Sequence, residues 1–418
     1  MRSPYLSLLH DFFPRRLQQW LGPLAAAALL ALVLGGALIW SGALDLAASV
    51  PHPAGWATLL HYTFQRSTAF HARGLAPPPD IDSAALIQKG AVHYDRACSH
   101  CHSIPGRGQN VVALAMRPQP QYLPQVAGDF TAPELFWIIK HGVKYSAMPA
   151  WPVQNRDDEV WALAAFVKQL PRMSADRYRQ LVGGDLPGAL PPFPPGQVRP
   201  IPYRPDIDTP DASEQRIERP VYGFGDAGAD AGVGQGCIAC HGVDGAGRPG
   251  GAFPNIALLT EQQIAGALTG YASGARSSGF MQAVATNLTP AQIAGLARYY
   301  AAQPKRQAEP LAPPAELRAL GATIASRGDA AREVDACASC HEYIVAVEKA
   351  YPNINGQNWR YMRDQLKLFR AGVRGGTGRD NPMYAAARHL SDREIDAVAL
   401  FYASRPPNAP RPPLASGE

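Results

Sequence analysis

The chain opens on an unbroken apolar stretch: no charged residue stands between Arg16 and Asp45, and Leu21 to Trp40 is almost wholly apolar. Twenty helical residues at about 1.5 Å rise cover roughly 30 Å, the thickness of a hydrocarbon core, so residues 1–45 read as a transmembrane anchor. Beyond it the pattern changes. Proline-broken polar stretches alternate with amphipathic segments, and three of these, 83–183, 218–303 and 315–405, are of comparable size. Each closes on a helix of period 3.6. In the first, Asp157 or Asp158 precedes Val160, Trp161, Ala164, Phe166 and Val167; in the second, Thr289 caps a start at Pro290 before Ile293, Leu296, Ala297 and Tyr300. In the third, Ser391 and Glu394 form a capping box ahead of Ile395, Val398, Ala399 and Tyr402. No alternating strand pattern is found, and the predicted fold class is all-α.

Between the segments lie a juxtamembrane stretch, 46–82, a linker, 184–217, a shorter break, 304–314, and a tail, 406–418. Trp56 to Phe70 reads as a short helix near the membrane surface, with Trp56, Tyr62 and Phe64 placed for the headgroup region or for packing on the first segment. Gly188 to Pro220 carries nine prolines and no sustained apolar period, which predicts an extended spacer. Forty prolines and thirty-nine glycines in 418 residues, with 17% charged, fit small domains strung separately along stiff connectors. Arg2, Arg15 and Arg16 precede the apolar span, and no Lys or Arg follows it before Arg66. That asymmetry puts Met1 in the cytoplasm and the rest in the periplasm, across a bacterial inner membrane. A cleaved signal peptide is the competing reading, but its apolar region is normally about 7–15 residues long. The formal charge of +5 is mild, and no basic cluster interleaves with aromatics, which argues against nucleic acid as a partner.

The six cysteines form three pairs of one spacing, Cys98/Cys101, Cys237/Cys240 and Cys337/Cys340, each followed at once by a histidine: His102, His241 and His341. Cys-x-x-Cys-His is the spacing of covalent haem attachment. Cysteines three apart lie about one helical turn from each other, so both thiols can add to the vinyl groups of one porphyrin while the adjacent imidazole takes the iron. The alternatives are a zinc site or a redox dithiol. Structural zinc needs four ligands, and no segment holds a second cysteine pair. The expected cofactors are therefore three covalently bound haem c groups, one in each segment.

An electron-transfer iron needs a sixth ligand, and His/Met ligation raises its potential. Of seven methionines, Met281 is the only one in the second segment, forty residues after His241; Met383 follows His341 by forty-two and Met148 follows His102 by forty-six. Met116 and Met362 compete in the first and third segments. Met362, however, sits at helical spacing beside Leu366 and Phe369, where methionine usually packs a core. His141 and His389 lie near the methionines, and local packing is the preferred reading for both. His100 is expected to face solvent. Trp137, Trp151 and Trp161 are expected to pack around the first haem.

The second and third segments form an internal repeat: Pro254-Asn255-Ile256 aligns with Pro352-Asn353-Ile354, Met281 with Met383, and Tyr299-Tyr300 with Phe401-Tyr402. These residues resemble class I cytochromes c, in which a three- to five-helix fold wraps one haem between an early Cys-x-x-Cys-His helix and a late Met loop. The pair 218–405 further resembles two-domain, two-haem periplasmic cytochromes c, with one departure where Ala257-Leu258-Leu259 replace Asn355-Gly356-Gln357. Pro133 to Gly142 and Met148-Pro149-Ala150-Trp151 resemble membrane-bound respiratory cytochromes c. The resemblance implies an electron carrier working between a quinol-oxidising complex or dehydrogenase and a terminal oxidase. The three-haem count also resembles the cytochrome subunits of periplasmic alcohol and sugar dehydrogenases. A peroxidase would need an open iron position, and each segment offers a methionine to fill it.

Overall fold

The structure, a computed structural model, describes residues 17–48, 50, 52–53, 55–109, 111–183, 235–286, 288–342, 351–378 and 381–410. It forms two compact units, Met1–His52 and Pro53–Glu418. The first unit is one helix, α1 (Leu17–Trp40). Within it Trp20–Trp40 has a mean hydropathy of 2.2, and its leucines and Ile39 point outward. It is long and apolar enough to cross a membrane. Arg2, Arg15 and Arg16 lie outside the described residues, as do the linker 184–217 and the last residues of the tail.

The second unit is helical; among the described residues the only extended pairing is an isolated bridge between Asp329 and Val334. The juxtamembrane stretch contains α2 (Trp56–His71), and the first segment contains α3 (Ala84–His93), α4 (Ala132–His141), α5 (Asp157–Val167) and α6 (Ala175–Val182). The second contains α7 (Gln235–His241), α8 (Glu261–Ala272), α9 (Gly279–Ala285) and α10 (Pro290–Ala301). The third contains α11 (Ala315–Arg327), α12 (Cys337–His341), α13 (Trp359–Arg370), α14 (Pro382–Ala387) and α15 (Asp392–Ala403). Local chemistry sets the helix starts. Thr289 with Gln292 and Ser391 with Glu394 close reciprocal capping boxes at α10 and α15, and Thr131 with Glu134 does the same at α4.

One crossing organises the first and third segments alike. Gly90 of α3 lies so close to α5 that an added Cβ would meet the Ala162 carbonyl oxygen at 2.0 Å. Gly321 of α11 meets α15 the same way, with Ala397 O at 2.2 Å. Only a residue without Cβ lets the backbones approach this closely. Around the first crossing pack Tyr94, Leu163 and Phe166, and around the second Ile395, Val398 and Tyr402. Leu163 and Phe166 are 1% and 0% exposed, and burial of each contributes about 1.5–3 kcal/mol. Met362 belongs to the third core, in line with its helical spacing. Phe64 of α2 turns inward onto Phe130, with ring centroids 6.1 Å apart, whereas Trp56 and Tyr62 remain exposed.

The three segments are not strung separately. Arg248 of the second donates to the Leu181 and Gln180 carbonyls of the first at 2.6 and 2.8 Å. The Asn255 N–H donates to Gln357 Oε1 at 2.7 Å, and Gln357 Nε2 returns a 2.8 Å bond to the Asn255 carbonyl, joining second to third. Arg363 of the third reaches Asp80 at 2.9 Å. A proline-rich connector constrains the path of the chain but does not prevent complementary faces from closing on one another. The departure at 257–259 also gains a reason: Gln357 spends its amide on the neighbouring segment, while Ala257 and Leu258 are buried in their own.

Replacing Gly90 or Gly321 by Ala should each cost at least about 1–3 kcal/mol through overpacking, measured as a lowered urea midpoint with unchanged slope. Glu394 gives a pH signature. Arg332 bonds it at 2.7 and 2.9 Å and holds its pKa near 2, against an ordinary 4.5. Its contribution is complete above pH 4.5 and is lost as pH falls toward 2. Glu394→Gln should therefore flatten that part of the acid-stability curve.

Candidate haem-binding sites

Each cysteine pair lies on a helical turn: Cys98 ends a π-helical turn, Tyr94–Cys98, that leads into Ser99–His102, and the other two pairs lie on α7 and α12. Burial pushes the free thiols of Cys98 and Cys337 up to about 12 and that of Cys237 to about 11. That is opposite to the depressed thiols of redox dithiols. Among the described residues, no three His, Cys, Asp or Glu side chains gather to hold a metal ion.

The motif histidines share one arrangement. His102 Nδ1 bonds the Gln121 carbonyl at 2.8 Å, His241 Nδ1 the Pro254 carbonyl at 3.2 Å, and His341 Nδ1 the Pro352 carbonyl at 2.8 Å. A carbonyl only accepts, so Nδ1 carries the proton and Nε2 presents its lone pair. Burial lowers all three imidazole pKa values, and the carbonyl bonds oppose this only in part. Neutral rings with a free Nε2 are what iron ligation requires.

Between the second and third segments lies a cavity of about 920 Å³, near the upper end of ligand-site volumes, about 300–1,000 Å³. Cys237, Cys240, His241 and Met281 line it from one side; Cys337, Cys340, His341 and Met383 line it from the other. The residues fit two porphyrins, with thiols, imidazole and thioether on each side of one apolar space. Arg276 and Arg374 line it too. Arg276 stacks on Tyr271 at 4.5 Å and donates to the Tyr361 hydroxyl at 3.3 Å. Two guanidinium groups here suit the carboxylate edge of a haem.

In the first segment Met148 is half-buried in the loop after α4. The Val143 N–H donates to its carbonyl at 3.1 Å, and Ser146 Oγ accepts its N–H at 3.1 Å. His141 lies against Trp137, centroids 3.9 Å apart, and His389 faces Glu333 at 3.6 Å. Both engage local neighbours. His100 is half-buried, with its Nε2 out of solvent, contrary to the solvent-facing expectation. Trp161 stacks on Phe136; Trp137 lies between His71 and His141. Trp151 instead faces the second segment, where an added Cβ on Gly279 would meet its ring at 2.4 Å.

Sequence reasoning does not find Arg156, Glu159 or His93. Arg156-Asp157-Asp158-Glu159 reads as an ordinary acidic helix start, yet Arg156 and Glu159 are buried where the first segment meets the second. His93 ends α3 in contact with Trp151 and Phe280, and burial pushes it down to about 3.

Helical segments that carry Cys-x-x-Cys-His with a carbonyl-bound, neutral imidazole define a multihaem c-type cytochrome, and the chain belongs to the cytochrome c family. A family model described as cytochrome c oxidase, cbb3-type, subunit III matches residues 85–167, and one described as cytochrome c matches residues 325–405. A thiosulfate dehydrogenase electron acceptor of Thiomonas intermedia is 36% identical over 175 residues, 41% of this chain and 78% of that protein. Cytochrome c4 of Pseudomonas aeruginosa is 31% identical over 187 residues, 43% of this chain and 91% of its own length. A solved cytochrome c4 of Acidithiobacillus ferrooxidans shares 26% identity at a TM-score of 0.36, over 40% of this chain and 98% of that one. The chain is thus an electron carrier related to such proteins.

Gly142, which ends α4 at φ 65°, yields a prediction for the first site. A Cβ there would lie 2.6–2.7 Å from the backbone of Met148, Pro149 and Ala150. Gly142→Ala should destabilise by more than about 1 kcal/mol and displace the Met148 loop, checked by thermal melting.

Proposed function

We propose that the chain is a membrane-anchored, periplasm-facing carrier of single electrons with three covalent haem c groups. Their iron ligands are His102 with Met148, His241 with Met281, and His341 with Met383. The observation that carries this reading is the threefold recurrence of a half-buried imidazole bonded through Nδ1 to the loop that follows its cysteine pair. Haem c supplies the one-electron iron couple when bound. The chain supplies two thiols to fix each group, an oriented imidazole, and an apolar wall that excludes water. The domains carrying these sites are 83–183, 218–303 and 315–405.

The route proposed runs from a quinol-oxidising complex or a dehydrogenase toward a terminal oxidase. The match of residues 85–167 to an oxidase subunit family supports the acceptor end. A second reading, a dedicated cytochrome subunit of a periplasmic alcohol- or sugar-type dehydrogenase complex, is supported by a relative named as the electron acceptor of a dehydrogenase. Helix α1, retained as an anchor, would hold the carrier beside membrane complexes and raise its effective concentration there.

Protein exported from a host competent in haem attachment should have the mass of the polypeptide plus three haems. It should fractionate with membranes until residues 1–45 are removed. Met148→His, Met281→His and Met383→His should each lower one midpoint potential, since methionine ligation raises it. A mass matching bare polypeptide would end this reading; co-purification with a catalytic subunit would favour the second route over the first.

A further inference from the structure

Glu159 belongs to α5 of the first segment, yet its carboxylate serves the second. Oε1 accepts a 2.6 Å hydrogen bond from the Ser278 hydroxyl, and Oε2 accepts one of 2.6 Å from the Gly279 N–H, the first residue of α9. The Ser278 oxygen in turn accepts the Met281 N–H at 3.1 Å. Two hydrogen bonds therefore join Glu159 to the backbone of Met281. Arg156 completes the clamp. Its Nη1 donates to the Ser277 carbonyl at 2.6 Å and its Nη2 lies 2.9 Å from Glu159 Oε1. Asp158 holds the same guanidinium from the other side at 2.8 and 2.9 Å. The side chains of Arg156 and Glu159 are 9% and 1% exposed, so water screens them little; Asp158 still pairs with Arg156 if Glu159 is neutralised, whereas removing Arg156 takes from the buried Glu159 the cation bonded to it.

The fit around this clamp is close. Trp151, three residues beyond Met148, lies close against Gly279, and Phe280 sits 4.3 Å from the His93 ring and 5.6 Å from that of Trp151, centroid to centroid. The loop carrying Met148 thus abuts the helix carrying Met281.

We infer that Arg156 and Glu159 are positioning residues for the second haem's methionine, through which the first segment sets the potential of the second site. The inference rests on Met281 being the sixth ligand there. A fixed N-terminus of α9 holds the thioether at one depth in the cavity. Releasing it weakens the sulfur–iron contact, which lowers the potential because methionine favours the reduced iron.

The test uses the full three-haem protein in detergent, with optical redox titration and the methionine–iron charge-transfer band as readouts. Met281→His is measured alongside to identify the second site's midpoint. Glu159→Gln keeps one carbonyl oxygen but puts an amide N–H₂ in place of the other, so either the Ser278 hydroxyl or the Gly279 N–H loses its acceptor. It should lower that same midpoint and diminish one haem's share of the band, leaving the other two midpoints in place. Ser278→Ala should shift the same midpoint by a smaller amount, and the double variant should move it no further than Glu159→Gln alone. If Glu159→Gln lowers the melting temperature but leaves all three midpoints and the band unchanged, the clamp only joins domains and the inference is overturned. If Met281→His moves no midpoint, the ligand assignment fails and takes the inference with it.

Discussion

A histidine N–H bonded to the carbonyl of the loop that follows its cysteine pair, made three times, is the interaction on which the architecture turns. A buried imidazole N–H without a partner costs about 1–3 kcal/mol, so the loop at Gln121, Pro254 or Pro352 has to pass at hydrogen-bonding distance. Core tyrosines are drawn to the same place. Tyr94, at the start of the π-helical turn, donates to the Ser103 carbonyl at 2.7 Å and Tyr300 of α10 to that of Gly242 at 3.4 Å, in each case the residue after the motif histidine. One hydrogen bond at the site thus specifies where a loop runs, and a second, from a core tyrosine, ties the packing of the segment to it.

Because the segments pack into one body, the sites in it keep fixed positions relative to one another. A flexible tether would make transfer between segments depend on encounters; buried contacts such as Gln357 with Asn255 and Arg248 with Gln180 and Leu181 remove that dependence. These contacts are mostly side chain to backbone. They fix register alongside the apolar contacts of Val92 with Ala239 and Phe253 and of Trp151 with Phe280.

What the sequence made legible was local. The starts of α10 and α15 follow from a Thr or Ser with Gln or Glu three residues on; the core role of Met362 follows from its spacing to Leu366 and Phe369; the cysteine pairs announce themselves. The pairing of Pro254 with Pro352 was readable as a repeat, and both carbonyls prove to take the imidazole. What was not legible depended on partners more than a hundred residues away. Glu159 looks like any acid in a first helical turn, and nothing within its own segment shows that Ser278 will meet it. Composition also misled: the proline count describes connectors, and the faces that close between segments combine isolated Arg, Gln and Asn residues with a few apolar and aromatic contacts such as Trp151 on Phe280, with no periodic signature. Trp151 was recognised as a packing residue, but its neighbour is the second segment.

The space shared by Cys237, Cys240, Cys337 and Cys340 has a consequence for biogenesis. Thioether bonds must form while each cysteine pair is still reachable by the attachment machinery, yet the clasp between Gln357 and Asn255 brings both pairs to a common interior. Loading must therefore run ahead of docking, and a chain that fails to take up one porphyrin leaves its neighbour with an open flank.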